Sequence, residues 1–272
     1  MSGTGENPFS ADDVAAQVLH DHRARVPFRP LRPDDGVDSL ERAYAVQDRF
    51  IAGISDNGLR RRAGHKIGLT SKTMQAMCGL DQPIAGTVFA DTVKHAPARL
   101  DPAAGGHIGL EFEICVQIDA APDPANGPFD AGSIARHVAA VGPAFEVIDD
   151  RHADYDGLDI YSIIAENSWN AGAVLGPMRP FDGDLAALDG VLRLNGAEID
   201  RGAVSEVLGH PFTALAWLVD HLGSRGDRLE HGSIVLTGSI MTTRFPDAGD
   251  RYAFSVEGLG EVTADIASGG EG

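Results

Sequence analysis

The chain is short of cysteine, of aromatic side chains and of positive charge. Its two cysteines, Cys78 and Cys115, supply neither a disulfide framework nor a zinc site by themselves, and they suit a reducing compartment. Lys and Arg number 22 against 40 Asp and Glu, a formal net charge of −18. Such a surface repels phosphate backbones and anionic lipid, so neither nucleic acid nor a membrane is expected as a partner. A small anionic substrate would need a local positive centre, a metal ion or a buried lysine. No apolar run reaches the ~18 residues of a membrane span. The opening "MSGTGENPFSADDVAAQ" has neither the basic nor the apolar region of a secretory leader, and a cytoplasmic location is expected.

Hydrophobic residues make up 43% of the 272 positions and charged residues 23%, the balance of an ordinary globular protein. There is no internal repeat and no low-complexity segment. Residues 1 to about 10 read as a frayed tail. "ADDVAAQVLHDHRAR" has helical spacing, an extended Pro-rich connector follows, and "DSLERAYAVQDRFIAGI" is the clearest helix, with Asp38 and Glu41 in the positions of a capping box. From Gly64 the texture changes to short β-like runs punctuated by glycine and proline. "VLRLNGAEID" carries the hairpin signal Asn195-Gly196, "RYAFSVEGLGEVTADI" a second hairpin, and "PFTALAWLVDHLG" one helix ending at Gly223. The expectation is an α+β chain: a helical region over 1–62 and a β-rich, mixed roll or barrel-like catalytic domain over 63–272.

The run "HIGLEFEICVQI" poses the chemical question. Strand alternation puts Leu110, Phe112, Ile114, Val116 and Ile118 on one face and Glu111, Glu113, Cys115 and Gln117 on the other. The second face is either washed by water or aimed into a pocket. Glu146, set in the apolar run "GPAFEVIDDR", is a third acid in costly surroundings. Three converging carboxylates repel one another, and a hard divalent cation relieves that repulsion. Lys66, in the Gly-flanked segment "AGHKIGLTSK", is an out-of-place cation suited to steadying negative charge on an oxygen, or else a snorkelling surface lysine. His65 beside it reads as a core histidine. Gly238-Ser239 ends "IVLTGS", either as a plain turn or as amides and a hydroxyl that hold a carboxylate.

Taken together, "AYAVQ", "GHKIGLTSKTMQ", "DQPIAGTVFAD", "GLEFEICV", "FEVIDDR", "NAGAVLG", "NGAEIDRGAVSEVLGHPFTALAWL" and "IVLTGS" resemble, in order, the 2-oxopent-4-enoate hydratase and 4-oxalocrotonate decarboxylase family. That family belongs to the fumarylacetoacetate hydrolase superfamily, and the resemblance spans roughly Leu40 to Ile266. It implies that Glu111, Glu113 and Glu146 bind Mg2+ or Mn2+ and that Lys66 is catalytic. It also implies that Leu69, Gly238 and Ser239 meet the substrate, with Asp149 and Arg151 in support. The substrate implied is a small 2-oxo acid or dienoate from aromatic ring cleavage. The assembly implied is a homo-oligomer, complexed with a related pathway enzyme. The expected reaction is hydration of a 2-hydroxy-2,4-dienoate. Decarboxylation of a 2-oxo-dicarboxylate and carbon–carbon hydrolysis of an acylpyruvate are the enzymatic alternatives, and an inactive scaffold or oxoacid-binding subunit is the non-enzymatic one. Two positions depart from the pattern: Ile84 stands where relatives often carry an acid–base aspartate, and Ser168-Trp169 replaces smaller residues.

Overall fold

In the computed structural model, residues 9–55, 58–102 and 106–268 are described. The expected frayed N-terminal tail lies largely outside them. Helix α1 (Ala11–Arg23) is capped by the Ser10 hydroxyl, which accepts from Asp13 N. Its Val14, Ala15 and Val18 pack against Val46 and Phe50 of α2 (Leu40–Ile54). The cap of α2 is one residue later than expected: Ser39 accepts from Arg42 N, while Asp38 reaches one turn on to the Arg42 guanidinium at 3.1 Å. A hydroxyl at this position satisfies an otherwise free N–H, which is the role expected of Asp38.

The remainder contains two mixed sheets, and among the described residues neither closes into a barrel. The larger has the order β2 (Ile84–Phe89), β1 (Arg62–Gly68), β10 (Ile234–Ser239), β5 (Ile108–Ile118), β6 (Val138–Asp149), β7 (Asn170–Leu175) and β3 (Val93–His95). The smaller runs β4 (Ala98–Leu100), β12 (Gly260–Ile266), β11 (Arg251–Val256), β8 (Asp189–Leu194) and β9 (Ala197–Ala203). The expected α+β class therefore holds. The Asn195-Gly196 turn joins β8 to β9 with positive φ at both residues, 52° and 89°, as a type I′ hairpin requires. Helix α6 (Pro211–Ser224) runs one residue past Gly223. Three short helices, α3 (Lys72–Met77), α4 (Ala131–Ala135) and α5 (Ile160–Ala165), were not evident in the sequence because five or six residues carry too little periodicity. Among the described residues no helix is long and apolar enough to cross a membrane.

The main core explains the unbroken apolar face of β5. Phe112 meets Phe145 edge-on and Phe254 at a tilt, with centroids 5.8 and 6.0 Å away, and α6 adds Leu215, Leu218 and Val219 to the same cluster. The opposite face is buried too: Cys115 packs with Val88, Ala144, Ala173 and Leu236. Glu113 is thus taken out of water together with its apolar neighbours.

The edge strand β2 would leave backbone groups without strand partners, and polar side chains occupy them. Ala85 N donates to the Tyr44 hydroxyl at 2.9 Å, and Gln47 Nε2 donates to Ala85 O at 3.0 Å and to Ile164 O at 2.7 Å. Two residues on, Thr87 N donates to Asn167 Oδ1 at 2.6 Å while Asn167 Nδ2 donates to Thr87 O at 2.9 Å. Asn167, Ser168 and Trp169 all have positive φ, a left-handed turn that presents this amide to the strand. Replacing Gln47 with Ala leaves a buried carbonyl at Ile164 without this donor. The Gln47→Ala protein should lose about 2 kcal/mol of unfolding free energy, read from its urea midpoint. A loss below about 0.5 kcal/mol would mean that α2 docks without these bonds.

Candidate metal centre and active site

The antiparallel register of β5 and β6 pairs Glu111 directly with Glu146. Glu113, two residues along β5, shares their face. One carboxylate oxygen from each of the three lies within 4.8 Å of the others, and among the described residues they form the one cluster of acids, histidines and cysteines with this spacing. Glu113 and Glu146 are fully buried and Glu111 is half-buried.

Each acid is held by one neutral hydrogen-bond donor. Gly238 N donates to Glu113 Oε2 at 2.7 Å, Asn170 Nδ2 to Glu146 Oε1 at 2.9 Å, and Thr243 Oγ1 to Glu111 Oε1 at 2.9 Å. The Gly238 amide reaches Glu113 because the β10–β5 register shifts between Leu236 and Ser239. Gly238 has φ +113°, and a β-carbon there would fall 2.1 Å from Thr70 Oγ1, so glycine is required. The Gly238 amide, expected to meet the substrate, here donates to the protein's own Glu113 carboxylate. Lys66 Nζ, almost fully buried, stands 3.3 Å from Glu146 Oε1.

Two oxygens, Glu113 Oε1 and Glu146 Oε2, are buried with no protein partner. Burial, reinforced by Glu146 and Glu111, pushes the Glu113 carboxyl well above its ordinary range. Burial likewise raises Glu146 to about 7, against the opposing pull of Lys66. Burial acts to lower the Lys66 pKa, but the three glutamates outweigh it and the ammonium is held above its ordinary value. The pocket therefore has an excess of buried negative charge with unused oxygen donors. This donor set fits a hard divalent cation and lacks the nitrogen or sulfur that zinc favours.

The other expected residues are distributed around this centre. Leu69 (φ +53°) follows β1 and packs in an apolar cluster with Ile84, Tyr44 and Ile164. Ile84 Cγ1 and Lys66 Nζ lie 3.2 and 3.6 Å from the position of a β-carbon on Gly68, so an aliphatic wall stands beside the buried ammonium. The Ser239 hydroxyl accepts from Phe112 N at 2.9 Å and donates to Met241 O at 2.8 Å, tying the bulge to β5. Asp149 is an odd number of residues from Glu146 and so faces away from the triad. It accepts from Gly106 N, His107 N and Arg151 N at 2.8, 2.8 and 3.0 Å. Arg151 makes a buried ion pair with Glu166 and donates to Val26 O at 2.8 Å. Asp149, Arg151, Glu166, Trp169 and Asn170 line a neighbouring cavity of about 370 Å³. Asn170 and Thr243, which orient two of the acids, were missed from the sequence, since neither lies in a spacing that reveals its target.

The fumarylacetoacetate (FAA) hydrolase C-terminal family model matches residues 86–267. The chain is 32% identical to 2-keto-4-pentenoate hydratase 2 of Dechloromonas aromatica over 264 residues, 96% of this chain and 99% of that protein. It is 31% identical to a 4-oxalocrotonate decarboxylase of Pseudomonas putida over 225 residues, 82% of this chain and 83% of that one. Among solved structures, 4-oxalocrotonate decarboxylase from Pseudomonas putida G7, complexed with magnesium and adipate, superposes with a TM-score of 0.85 at 27% identity, over 95% of this chain and 98% of that one.

His65 occupies the core position expected of it and is 4% exposed. Burial lowers its pKa from 6.5 to about 3. A base whose folded pKa is depressed contributes stability above its unfolded value, and that stability is lost as pH falls from about 6.5 toward 3. The wild type should lose up to ~1.4 kcal/mol per pH unit through this group. In His65→Leu the dependence of unfolding free energy on pH over that window should be shallower by one proton, as measured by urea titrations at stepped pH. An unchanged slope would show that His65 does not control it.

Proposed function

The chain belongs to the fumarylacetoacetate hydrolase superfamily, in its branch of 2-keto-4-pentenoate hydratases and 4-oxalocrotonate decarboxylases, and from this premise we propose that it hydrates a 2-hydroxy-2,4-dienoate to a 4-hydroxy-2-oxo acid. One observation carries the proposal: the two unpartnered carboxylate oxygens of Glu113 and Glu146, buried beside Lys66. Glu111, Glu113 and Glu146 would hold Mg2+ or Mn2+, as magnesium is present in the solved relative. When bound, such an ion polarises the oxygen at substrate C2 and lowers the cost of negative charge there.

The chain's own groups do the rest. Asn170 and Thr243 fix the orientation of Glu146 and Glu111, so the oxygen donors are set before substrate arrives. Lys66 supplies a fixed positive charge in a water-poor pocket, aimed at the oxygen where charge develops, and costs no reorganisation during the reaction. Leu69 and Ile84 form an aliphatic wall that receives the hydrocarbon part of the dienoate. With Ile84 unable to carry a proton, acid–base work falls to other groups. The proposal extends to a homo-oligomer acting after aromatic ring cleavage in the cytoplasm, a reducing compartment that suits the two free cysteines. Decarboxylation of a 2-oxo-dicarboxylate is the second reading, favoured by the close superposition on the decarboxylase.

Metal-stripped enzyme should be inactive on a dienoate panel and regain dienol consumption on addition of magnesium or manganese. A 4-hydroxy-2-oxo acid identifies the hydratase, whereas stoichiometric carbon dioxide identifies the decarboxylase. Glu113→Gln should abolish Mn2+ binding seen by electron paramagnetic resonance, and lower turnover by roughly 10²-fold or more while circular dichroism is unchanged. Manganese binding at wild-type strength would refute the triad. Lys66→Met should lower kcat by about 10²–10³-fold, with metal affinity within a few-fold of wild type. An unaltered kcat would remove Lys66 from the chemistry.

A further inference from the structure

The β5–β6 register that pairs Glu111 with Glu146 has a second product at its open end. Ile108 pairs with Asp149, and one step beyond, Asp150 N donates to His107 O at 3.3 Å. This brings the His107 imidazole to the Asp150 carboxylate, with Nδ1 2.8 Å from Oδ1. Asp150 is 1% exposed. It also accepts from His152 N at 2.9 Å and from the Tyr155 hydroxyl at 2.9 Å. A carboxylate can only accept, so Nδ1 carries the hydrogen, and in the neutral ring Nε2 presents a lone pair. Among the described residues Nε2 has no hydrogen-bond partner, and the ring is held between His152 and Phe245, with centroids 4.7 and 4.4 Å away.

The imidazole stands on the face of the three glutamates. A β-carbon on Gly109, which shares that face with Glu111, would lie 2.9 Å from Thr243 Cγ2 and 3.1 Å from Phe245 Cε1. Thr243 then donates to Glu111, and Phe245 stacks on His107 with planes 4° apart. One loop segment therefore runs from metal centre to imidazole along a single face. Four residues of extended chain separate Glu111 from His107 by roughly 13 Å at the backbone.

We infer that His107 is the base that activates water for addition at C4, with Asp150 as its positioning residue, in the place left open by Ile84. The inference rests on the hydratase reading. Once the dienol has ketonised to the 2-oxo-3-enoate, the water oxygen bonds to C4 and its proton passes to His107 Nε2. The C3–C4 π pair moves to C2–C3, leaving negative charge on the C2 oxygen near Lys66. The imidazolium, held by Asp150, then returns the proton to C3 as the C2 carbonyl re-forms. One water is consumed, and the histidine ends as it began.

The test separates the two steps of turnover. His107→Asn retains a donor toward Asp150 and lacks the base. With magnesium and 2-hydroxypenta-2,4-dienoate, this variant should still consume the dienol but accumulate the conjugated 2-oxo-3-enoate, with hydration slowed about 10²–10³-fold. Asp150→Asn should give the same accumulation with a smaller loss, and both variants should bind Mn2+ as wild type does. Hydration at the wild-type rate in His107→Asn, or loss of activity with no enone, would overturn the assignment and leave the hydratase reading intact. Loss of Mn2+ binding would make the pair structural and overturn it equally. Absence of hydration by the wild type would sink the hydratase reading and this inference with it.

Discussion

The structure is organised around the repulsion of three carboxylates that the β5–β6 register forces together in a buried place. Carboxylates removed from water have to be protonated, paired or bound to a cation. Here one lysine and three neutral donors answer part of the charge and leave two oxygens unsatisfied. A binding site with unspent donors is thereby built into the sheet itself. Its components come from strands whose register is fixed by a large core on the opposite face, so the acids cannot separate without disrupting Phe112, Phe145 and their neighbours.

The same dependence explains what could be read from the residues alone. Alternation in "GLEFEICV" located Glu111 and Glu113 on one face, because side-chain direction along a strand is a local property. Whether that face was wet was not local. Cys115 and its apolar partners from four other strands bury it, and no stretch of sequence reveals those partners. Glu146 was visible as an acid among apolar residues, but its pairing with Glu111 is a matter of register. Family resemblance supplied the convergence that spacing left open.

Other features were illegible for related reasons. Asn170 and Thr243 touch the acids from separate segments, and a polar residue beside a strand or in a loop carries no mark of its target. His107 and Asp150 were in view, at the head of one quoted strand and in the Asp-Asp pair of another. Only the antiparallel ladder makes them neighbours. The cap of α2 shifted by one residue because Asp38 and Ser39 both qualify locally, and the side chain of Asp38 had a better use on Arg42.

The covering of β2 bears on how the polypeptide can be divided. The matched family span begins at Gly86, inside that strand, whereas Tyr44, Gln47 and Asn167 are what seal its outer rim. A truncated fragment starting there would lack β1, the strand partner of both β2 and β10, and expose bare strand margins able to recruit other chains. The start of the family model thus falls inside a unit of physical integrity, and excision along it would favour aggregation over an autonomous module.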